Sequence, residues 1–415
     1  MTYESSISFA KKADQEDPLK KFRDEFHMPQ YNGKDMIYFS GNSLGLMPKM
    51  SNSAVSNELE IWAKTGVEGQ HNRWVDYHKH LTQSTATIVG AKPKEVVVMN
   101  ALTINLHLLM ISFYRPTPKK NKIIIEHGAF PSDQYAVESQ IRFHGYDPND
   151  ALIELRPREG ETCLRTKDII DTFNQHGDSI ATVLIGSVNY YTGQAFEIEK
   201  ITKAAHNVGA RVAIDLAHGA GNLDLDLHNW EVDFAVWCSY KYLCGGPGSP
   251  GGVFVHEKHE NWDGPRFNGW WGNKKATRFI MDSKFDPIVG AEGWQISNAP
   301  ILAMACLRSS MAIFSNAGMP AIIKKSKKLT GYLEYLIGSL KDKIKIITPK
   351  DSKQRGAQLS LVVKKNAEEV FNGLNSNHII CDWREPDVIR VAPVPLYNSF
   401  VDVYRFYEIV KDLTK

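Results

Sequence analysis

The residue of this sequence that most clearly could take part in a reaction is Lys241. It lies between Tyr240 and Tyr242 at the end of an apolar run. Crowding by aromatic side chains removes water from an ammonium group and favours the neutral amine. A neutral lysine amine is a nucleophile that adds to carbonyl carbon atoms. A lysine at the end of a strand can also simply extend into water, so this position alone leaves both interpretations open.

The stretch that follows, residues 245–252, holds five glycines and two prolines. Its spacing fits the dinucleotide motif G-x-G-x-x-G at Gly246, Gly248 and Gly251. That motif requires a helix directly after it, whereas an apolar, strand-like run follows here. We therefore predict a tight loop beside a site, and not a dinucleotide-binding turn.

The side chains that a lysine-bound pyridoxal phosphate (PLP) requires precede Lys241 in the sequence. Asp215 ends the apolar run VAID, where a carboxylate can keep a pyridine nitrogen protonated, and His218 could reach the phenolic oxygen of the ring. Phe130 follows the run KIIIE and could cover the ring with its aromatic face.

A phosphate site is predicted at residues 100–103, which include Leu102 and Thr103, because a strand there gives way to a helix. Each candidate also has an ordinary explanation as a helix cap or a core side chain. All of them nevertheless fall at the predicted carboxyl ends of strands, where open α/β sheets bind ligands. Together they predict a PLP site, and the scattered cysteines predict no metal site.

Short apolar runs alternate with helical patterns between about Lys94 and Ala299, which predicts a mostly parallel sheet covered by helices on both faces. The runs predicted as strands are KEVVVMN, KIIIEHG, ATVLIGSV, RVAIDLAHG, VDFAVWCSY and GGVFVHEK. The last follows its predecessor through a short loop, so that pair is expected to be antiparallel. We predict an N-terminal arm (1–45), a large α/β domain (46–300) and a small C-terminal α+β domain (301–415).

The composition is that of a globular enzyme, with 415 residues, 43% hydrophobic and 23% charged, and a net charge of +2. So small a net charge predicts neither nucleic acid nor a membrane surface as a partner. The polar N-terminus is unlike a secretory signal, no apolar run is long enough to span a membrane, and five scattered cysteines predict no disulfide framework. We therefore expect a reduced, cytoplasmic protein.

A set of distinctive strings resembles the kynureninase family, in the same order and over essentially the whole chain. The strings are NSLGLMP, NALTINLHLL, FPSDQYA, SVNYYTGQ, AIDLAHGAGN, DFAVWCSYKYLCGGPG, GWWG, QISNAPIL and IRVAPVPLYNSF. The resemblance implies a homodimeric fold-type-I PLP enzyme with a mostly parallel seven-stranded sheet. It also implies hydrolysis of the Cβ–Cγ bond of L-kynurenine or L-3-hydroxykynurenine, which yields anthranilate or its 3-hydroxy form and L-alanine in tryptophan catabolism and NAD biosynthesis.

The resemblance further implies a role for individual residues. Lys241 would bind PLP covalently, and Tyr240 would hold the phosphate and relay protons. Arg390 would bind the substrate carboxylate, although an arginine within an apolar strand can also belong to a buried ion pair. Trp270 and Asn298 would close the site across the dimer interface, with Asn298 also near the substrate. The full cofactor-binding set comprises Leu102, Thr103, Phe130, Pro131, Ser132, Asp133, Gly186, Asp215, His218, Tyr240, Lys241, Trp270 and Asn298.

Two positions depart from the family pattern. Gly186 stands where some relatives carry serine, and Val67 stands where relatives that favour the hydroxylated substrate carry histidine, although His71 is near. The preferred substrate therefore stays open at the level of sequence. Alternatives are another fold-type-I enzyme, such as an aminotransferase or a cysteine desulfurase with Cys381 as its thiol, and a binding protein that kept the fold without the activity.

Overall fold

The computed structural model describes residues 2–415. Its strands are β1 Gln30–Tyr31, β2 Lys34–Asp35, β3 Ile37–Tyr38, β4 Val96–Val98, β5 Lys122–Glu126, β6 Leu152–Leu155, β7 Ile180–Gly186, β8 Arg211–Asp215, β9 Phe234–Trp237, β10 Gly252–Val255, β11 Ile344–Ile346, β12 Leu359–Val363, β13 Ile379–Ile380, β14 Asp382–Arg384 and β15 Val388–Val391. Its α-helices are α1 Ile7–Gln15, α2 Ser51–Thr65, α3 Val67–Gly69, α4 Lys79–Val89, α5 Leu102–Phe113, α6 Pro131–Phe143, α7 Pro148–Ala151, α8 Thr166–His176, α9 Ile198–Asn207, α10 Lys275–Arg278, α11 Ile301–Ala317, α12 Met319–Gly338, α13 Ala367–Ser376 and α14 Phe400–Leu413.

A central sheet contains seven of these strands in the order β4-β10-β9-β8-β7-β5-β6. Strands β5 to β9 pair in parallel, while β10 is antiparallel to both of its neighbours, β4 and β9. The mostly parallel sheet and the antiparallel pair after the glycine loop are thus confirmed. Strand β6 was not among the runs predicted as strands, because its partly exposed residues and its Glu154 weaken the apolar pattern.

The apolar runs are continuous because both faces of the sheet are covered. Along β7, Val183 belongs to one hydrophobic cluster and Leu184 to another, and along β8 the same is true of Ile214 and Ala213. Successive side chains of a strand point to opposite faces, so each face supplies one of the two clusters. Because β5 to β9 run in parallel, their carboxyl ends lie at one edge of the sheet, where α5 and α6 begin.

The C-terminal region forms a four-stranded antiparallel sheet in the order β11-β12-β15-β14. The N-terminal segment is attached to this region, since β3 pairs in parallel with β13. Asp14 on α1 also accepts hydrogen bonds from the backbone N–H groups of Phe400 and Val401, at 2.7 and 3.1 Å, and so caps α14. The division into three domains stays a prediction.

Helix α2 forms where Val55, Leu59 and Trp62 recur at helical spacing. Its apolar side chains, however, do not all face the core, because Leu59 and Trp62 are exposed. The buried position is Glu58, which accepts hydrogen bonds from Arg73, Trp74 and Tyr77. Leu59 and Trp62 therefore form an exposed apolar side of α2 that is available for contact with another chain.

Within residues 2–415, no single helix has the length and apolar composition needed to cross a membrane. The pair α11 and α12, bent by 82° at the break between them, satisfies that test only when the two helices are taken together.

Candidate active site

A cavity of about 160 Å³ opens at the carboxyl edge of the central sheet. This is the edge at which open α/β sheets bind ligands. The residues predicted for the site that line the cavity are Leu102, Thr103, Phe130, Ser132, Asp133, Gly186, Asp215, His218, Tyr240 and Lys241. The tertiary structure therefore brings together residues from five separate segments of the chain.

Lys241 is presented to the cavity by a tight turn after β9. The backbone N–H of Gly245 donates to the carbonyl of Ser239 at 2.8 Å, and that of Cys244 donates to the carbonyl of Lys241 at 2.9 Å. The Nζ atom of Lys241 lies 5.6 Å from the centre of the Phe130 ring and 5.9 Å from that of Tyr240. The amine is thus held against two aromatic rings, as the sequence predicted.

One end of the cavity is built to hold an anion. Helices α5 and α6 both begin there, neither is capped by a side chain, and Thr103 Oγ1 lies 2.7 Å from Ser132 Oγ. Free N–H groups and the helix dipoles at such starts attract phosphate. Gly251 permits the close packing, because a β-carbon there would lie 2.4 Å from the carbonyl of Trp237 and 3.3 Å from the Leu102 nitrogen.

The cavity also contains acidic groups and a histidine. Asp215 is fixed by a hydrogen bond of 2.5 Å from the backbone N–H of Ala217 to its Oδ1 atom. Burial, together with Asp215 and Glu126, raises the pKa of Asp133 well above its ordinary value. Burial and the positive charge of Lys241 lower the pKa of His218 well below the usual range, so this imidazole is neutral.

Aromatic groups form part of the cavity wall. The ring of Phe130 meets that of Tyr190 edge to face, with centroids 5.4 Å apart. Burial, with Cys238 and Asp215 nearby, raises the pKa of Tyr240 far above its ordinary value, so its hydroxyl keeps its proton and can donate a hydrogen bond.

The residues of the cavity fit PLP. His218 Nδ1 and Asp133 Oδ1, which line the cavity, are buried without a hydrogen-bond partner in the part of the chain that the structure describes. Buried polar atoms of this kind require a partner, and a polar aromatic cofactor supplies several. The anion site, the aromatic cover, the lysine amine and the carboxylate are then each matched to one part of the cofactor.

Four predicted residues do not line the cavity. Pro131 begins α6 beside it, Trp270 is 47% exposed, and Asn298 is exposed as well. Arg390 is buried on β15, where it pairs with Asp382 and donates to the carbonyl of Tyr190 at 2.7 Å.

Arg390 therefore does take part in a buried ion pair, the alternative that the sequence left open. Its Nε atom has no hydrogen-bond partner among residues 2–415. Tyr190 lines the cavity, so this hydrogen bond links the guanidinium group to the cavity wall.

The sequence did not identify every residue at the cavity. The additional lining residues are Glu126, Val188, Tyr190, Ala217 and Cys238. Glu126 ends the apolar run KIIIE in the same way as Asp215 ends VAID, and this parallel was the available signal. Tyr190 and Cys238 carry no comparable signal, because each lies within a longer apolar or aromatic segment.

One group of potential metal ligands lies elsewhere: Glu95, His228 and His256, whose ligand atoms are within 4.8 Å of one another. The Glu95 side chain already accepts from the backbone N–H groups of Lys92 and Glu257, both at 2.8 Å. His256 bonds to the carbonyl of His228 and accepts from the backbone N–H of Lys258. These hydrogen bonds account for the cluster as a structural element.

Comparison with known proteins shows relatives that match over nearly the whole chain. A kynureninase of Myxococcus xanthus is 56% identical over 99% of this chain and 97% of its own length. A kynureninase of Christiangramia forsetii is 52% identical over 99% of both chains. The family model of the kynureninase C-terminal domain matches residues 322–410. The chain belongs to the kynureninase family.

Solved structures with the same fold agree with this kynureninase assignment at the level of architecture. A cystine C–S lyase with glycine linked to its PLP cofactor has a TM-score of 0.76, at 15% identity over 90% of this chain and 96% of that chain. A cysteine desulfurase of Thermococcus onnurineus has a TM-score of 0.75, at 17% identity over 97% and 98%. The fold of this kynureninase-family chain is thus that of the fold-type-I PLP enzymes.

The desulfurase alternative is not supported by the cysteines of this kynureninase-family chain. Burial raises the pKa of Cys381 to about 12, with Asp382 adding to the effect. Burial likewise raises the pKa of Cys238 in the cavity wall. A nucleophilic cysteine requires a thiolate at neutral pH, and both thiols stay protonated.

Proposed function

We propose that the chain hydrolyses the Cβ–Cγ bond of kynurenine and releases anthranilate and L-alanine, as a step of tryptophan catabolism that leads towards NAD. The observation that carries this proposal is the arrangement of Lys241 and Asp215 in one cavity, between an anion site and an aromatic wall. The kynureninase relatives supply the substrate class. The oxygen of one water molecule ends in the anthranilate carboxyl group, which balances the reaction.

Bound PLP supplies an aldehyde that reacts with amines and a pyridine ring that withdraws electrons from the adjacent substrate carbon. The residues of this chain do the rest. Lys241 Nζ is the group that removes and returns the proton at the substrate α-carbon. Asp215 holds the proton on the ring nitrogen, and the neutral His218 offers a hydrogen bond at the Nδ1 atom that lacks a partner.

Two further groups act on the substrate and on protons. Tyr240, whose hydroxyl is protonated, binds the phosphate and carries a proton towards the γ-carbonyl. Arg390 holds the α-carboxylate of the substrate, for which a planar guanidinium is well suited. Fixing the substrate by its carboxylate in this way places the scissile bond beside the lysine.

A direct assay tests the activity and the substrate preference together. We expect anthranilate and alanine from kynurenine, and no sulfide from cysteine, because neither Cys238 nor Cys381 provides a thiolate. Val67 offers no hydrogen bond to a 3-hydroxyl group, so kcat/KM is expected to be larger for kynurenine than for 3-hydroxykynurenine. Sulfide release without anthranilate would reject the proposal, and a larger value for the hydroxylated substrate would reject the preference.

We further propose a cytoplasmic homodimer in which each active site uses residues of both copies. Trp270 and Asn298 are exposed and lie outside the cavity of their own chain. Several large apolar side chains are exposed with them, and such surfaces favour protein contacts. They are Leu59, Trp62, Phe267, Phe279, Ile280 and Met281.

Mixing two inactive variants tests this assembly. Lys241→Ala and Trp270→Ala are each expected to be severely impaired, because each removes a group that every site requires. In a mixed dimer, one site receives Lys241 from one copy and Trp270 from the other, so activity is expected to return after the variants are unfolded and refolded together. The same procedure with each variant alone is the control. No recovery from a mixture that size measurement shows to contain dimers would contradict a shared site.

A further inference from the structure

The carboxyl group of Glu126, at the end of β5, is a buried charge-bearing group to which the reaction above gives no role. The residue is 4% exposed, and its Oε2 atom has no hydrogen-bond partner in the chain from residue 2 onwards. It lines the same cavity as Asp133, Asp215 and Lys241. An unpaired carboxylate at such a place is unfavourable, so the group needs either a partner or a proton.

The lack of a side chain at Gly186, in the neighbouring strand, leaves room for Glu126 to approach Asp215. Strand β7 lies between β5 and β8, and its last residue, Gly186, is paired in register with Asp215. A β-carbon on Gly186 would lie 3.1 Å from Glu126 Oε1. Because glycine has no side chain, the carboxyl group of Glu126 extends into the space beside Asp215. Glycine in place of the serine that some relatives carry at this position therefore leaves room for the carboxyl group of Glu126.

Three carboxyl groups in one small buried space cannot all carry a charge. Burial, with the charge of Asp215 adding to it, raises the pKa of Glu126 to about 8. Burial and the same neighbour raise the pKa of Asp133. Burial therefore favours the protonated form of Glu126 and of Asp133, and each proton that is retained removes one negative charge from the cluster.

We propose that Glu126 is a positioning residue that stays protonated in the working enzyme and limits the negative charge of this cluster. The proposal rests on the proposed function of the cavity, but its tests do not require activity. Several titratable, charged and polar groups face or border Glu126. Those on the cavity side are Asp133 on α6, Asn189 after β7, Asp215 and His218 at and after β8, and Lys241 after β9. Those at the outer edge are His127, Glu154 and Arg156.

Thermal unfolding of the apoprotein tests the protonation state. An unfolded glutamate ionises near pH 4.3, at about its reference pKa. Between that pH and about 8, the folded protein holds a proton that the unfolded chain has released, so stability falls as pH rises. Glu126→Gln removes this loss, and the Tm of the variant is expected to gain on that of the wild type as pH rises through the window.

The matched control is Glu138→Gln, on α6, where the carboxylate is partly exposed and pairs with Arg142. Its Tm difference from the wild type is expected to stay constant over the same pH range. A constant difference for Glu126→Gln as well would overturn the proposal. An inactive wild-type protein would refute the proposed function and would leave this test unaffected.

The holoprotein and infrared spectra give two independent readouts. The visible absorbance of bound PLP is expected to depend on pH differently in the wild type and in Glu126→Gln, and an identical dependence in both would count against the proposal. If that variant does not fold, the infrared C=O band of protonated carboxyl groups in the wild-type apoprotein decides the matter. Part of the band should disappear near pH 8, and Gly186→Ser should move this step to lower pH, because a hydroxyl beside Oε1 stabilises the carboxylate. A band without such a step would overturn the proposal.

Discussion

Replacing Lys241 with alanine is expected to abolish kynurenine cleavage and to remove the visible absorption band of lysine-bound PLP. Losing a general acid–base group alone lowers kcat by about 10²–10⁴-fold. The loss here should exceed that range, because the same amine also anchors the cofactor. The measurements are steady-state release of anthranilate and an absorbance spectrum of the purified variant with PLP.

The remaining residues of the site should still bind the cofactor without the covalent bond. PLP is therefore expected to raise the Tm of Lys241→Ala, since the anion site at α5 and α6 is unchanged. A small primary amine added to the solution should restore part of the turnover by replacing the missing base. Wild-type activity in Lys241→Ala, or an unchanged absorption band, would show that another group forms the bond.

The second large effect is expected for Arg390→Lys, with a fall in kcat/KM for kynurenine of about 10²-fold, because a misplaced substrate reacts at that cost. Lysine keeps the positive charge beside Asp382 but lacks the planar, two-pronged geometry that binds a carboxylate. The decisive measurement is kcat/KM for kynurenine together with the Tm of the variant.

The matched control is Arg384→Lys, because Arg384 pairs with the same Asp382 at 3.0 Å yet lies at the partly exposed end of β14. Its kcat/KM is expected to stay within about twofold of the wild type, because an exposed ion pair contributes little free energy. Equal losses in both variants would indicate that Arg390 only supports Asp382. A loss confined to Arg390→Lys would place the guanidinium group at the substrate.

Much of the architecture follows from local sequence patterns. Continuous apolar runs such as KIIIE and VAID require burial on both faces, so a parallel sheet with helices on each side was predictable. The glycine loop after Lys241 indicated the antiparallel return, which the pairing of β9 with β10 confirms. Strand β6 was missed because an edge strand with polar residues has no such pattern.

The residues of the site also fall into two groups. Some are indicated by the sequence of their own segment, and others only by contacts between distant segments. Asp215 and Lys241 could be predicted, since each follows a buried strand and carries a chemical group that PLP requires. Glu126 was missed although its run has the same form, because nothing local indicates that the carboxyl ends of β5 and β8 lie on either side of a glycine. The ion pair of Arg390 with Asp382 likewise depends on the register of β14 and β15.

The sequence by itself determined the kinds of strand and helix, the edge of the sheet at which the candidate site lies, and the lysine that is predicted to be reactive. These features depend on the spacing of residues along one segment, which the chain carries locally. Only the tertiary structure decided which carboxyl groups share a cavity, which protons they retain, and which aromatic residues are left outside it. Those outcomes depend on strand order, on register and on the exclusion of water, and each of them arises between segments that are far apart in the chain.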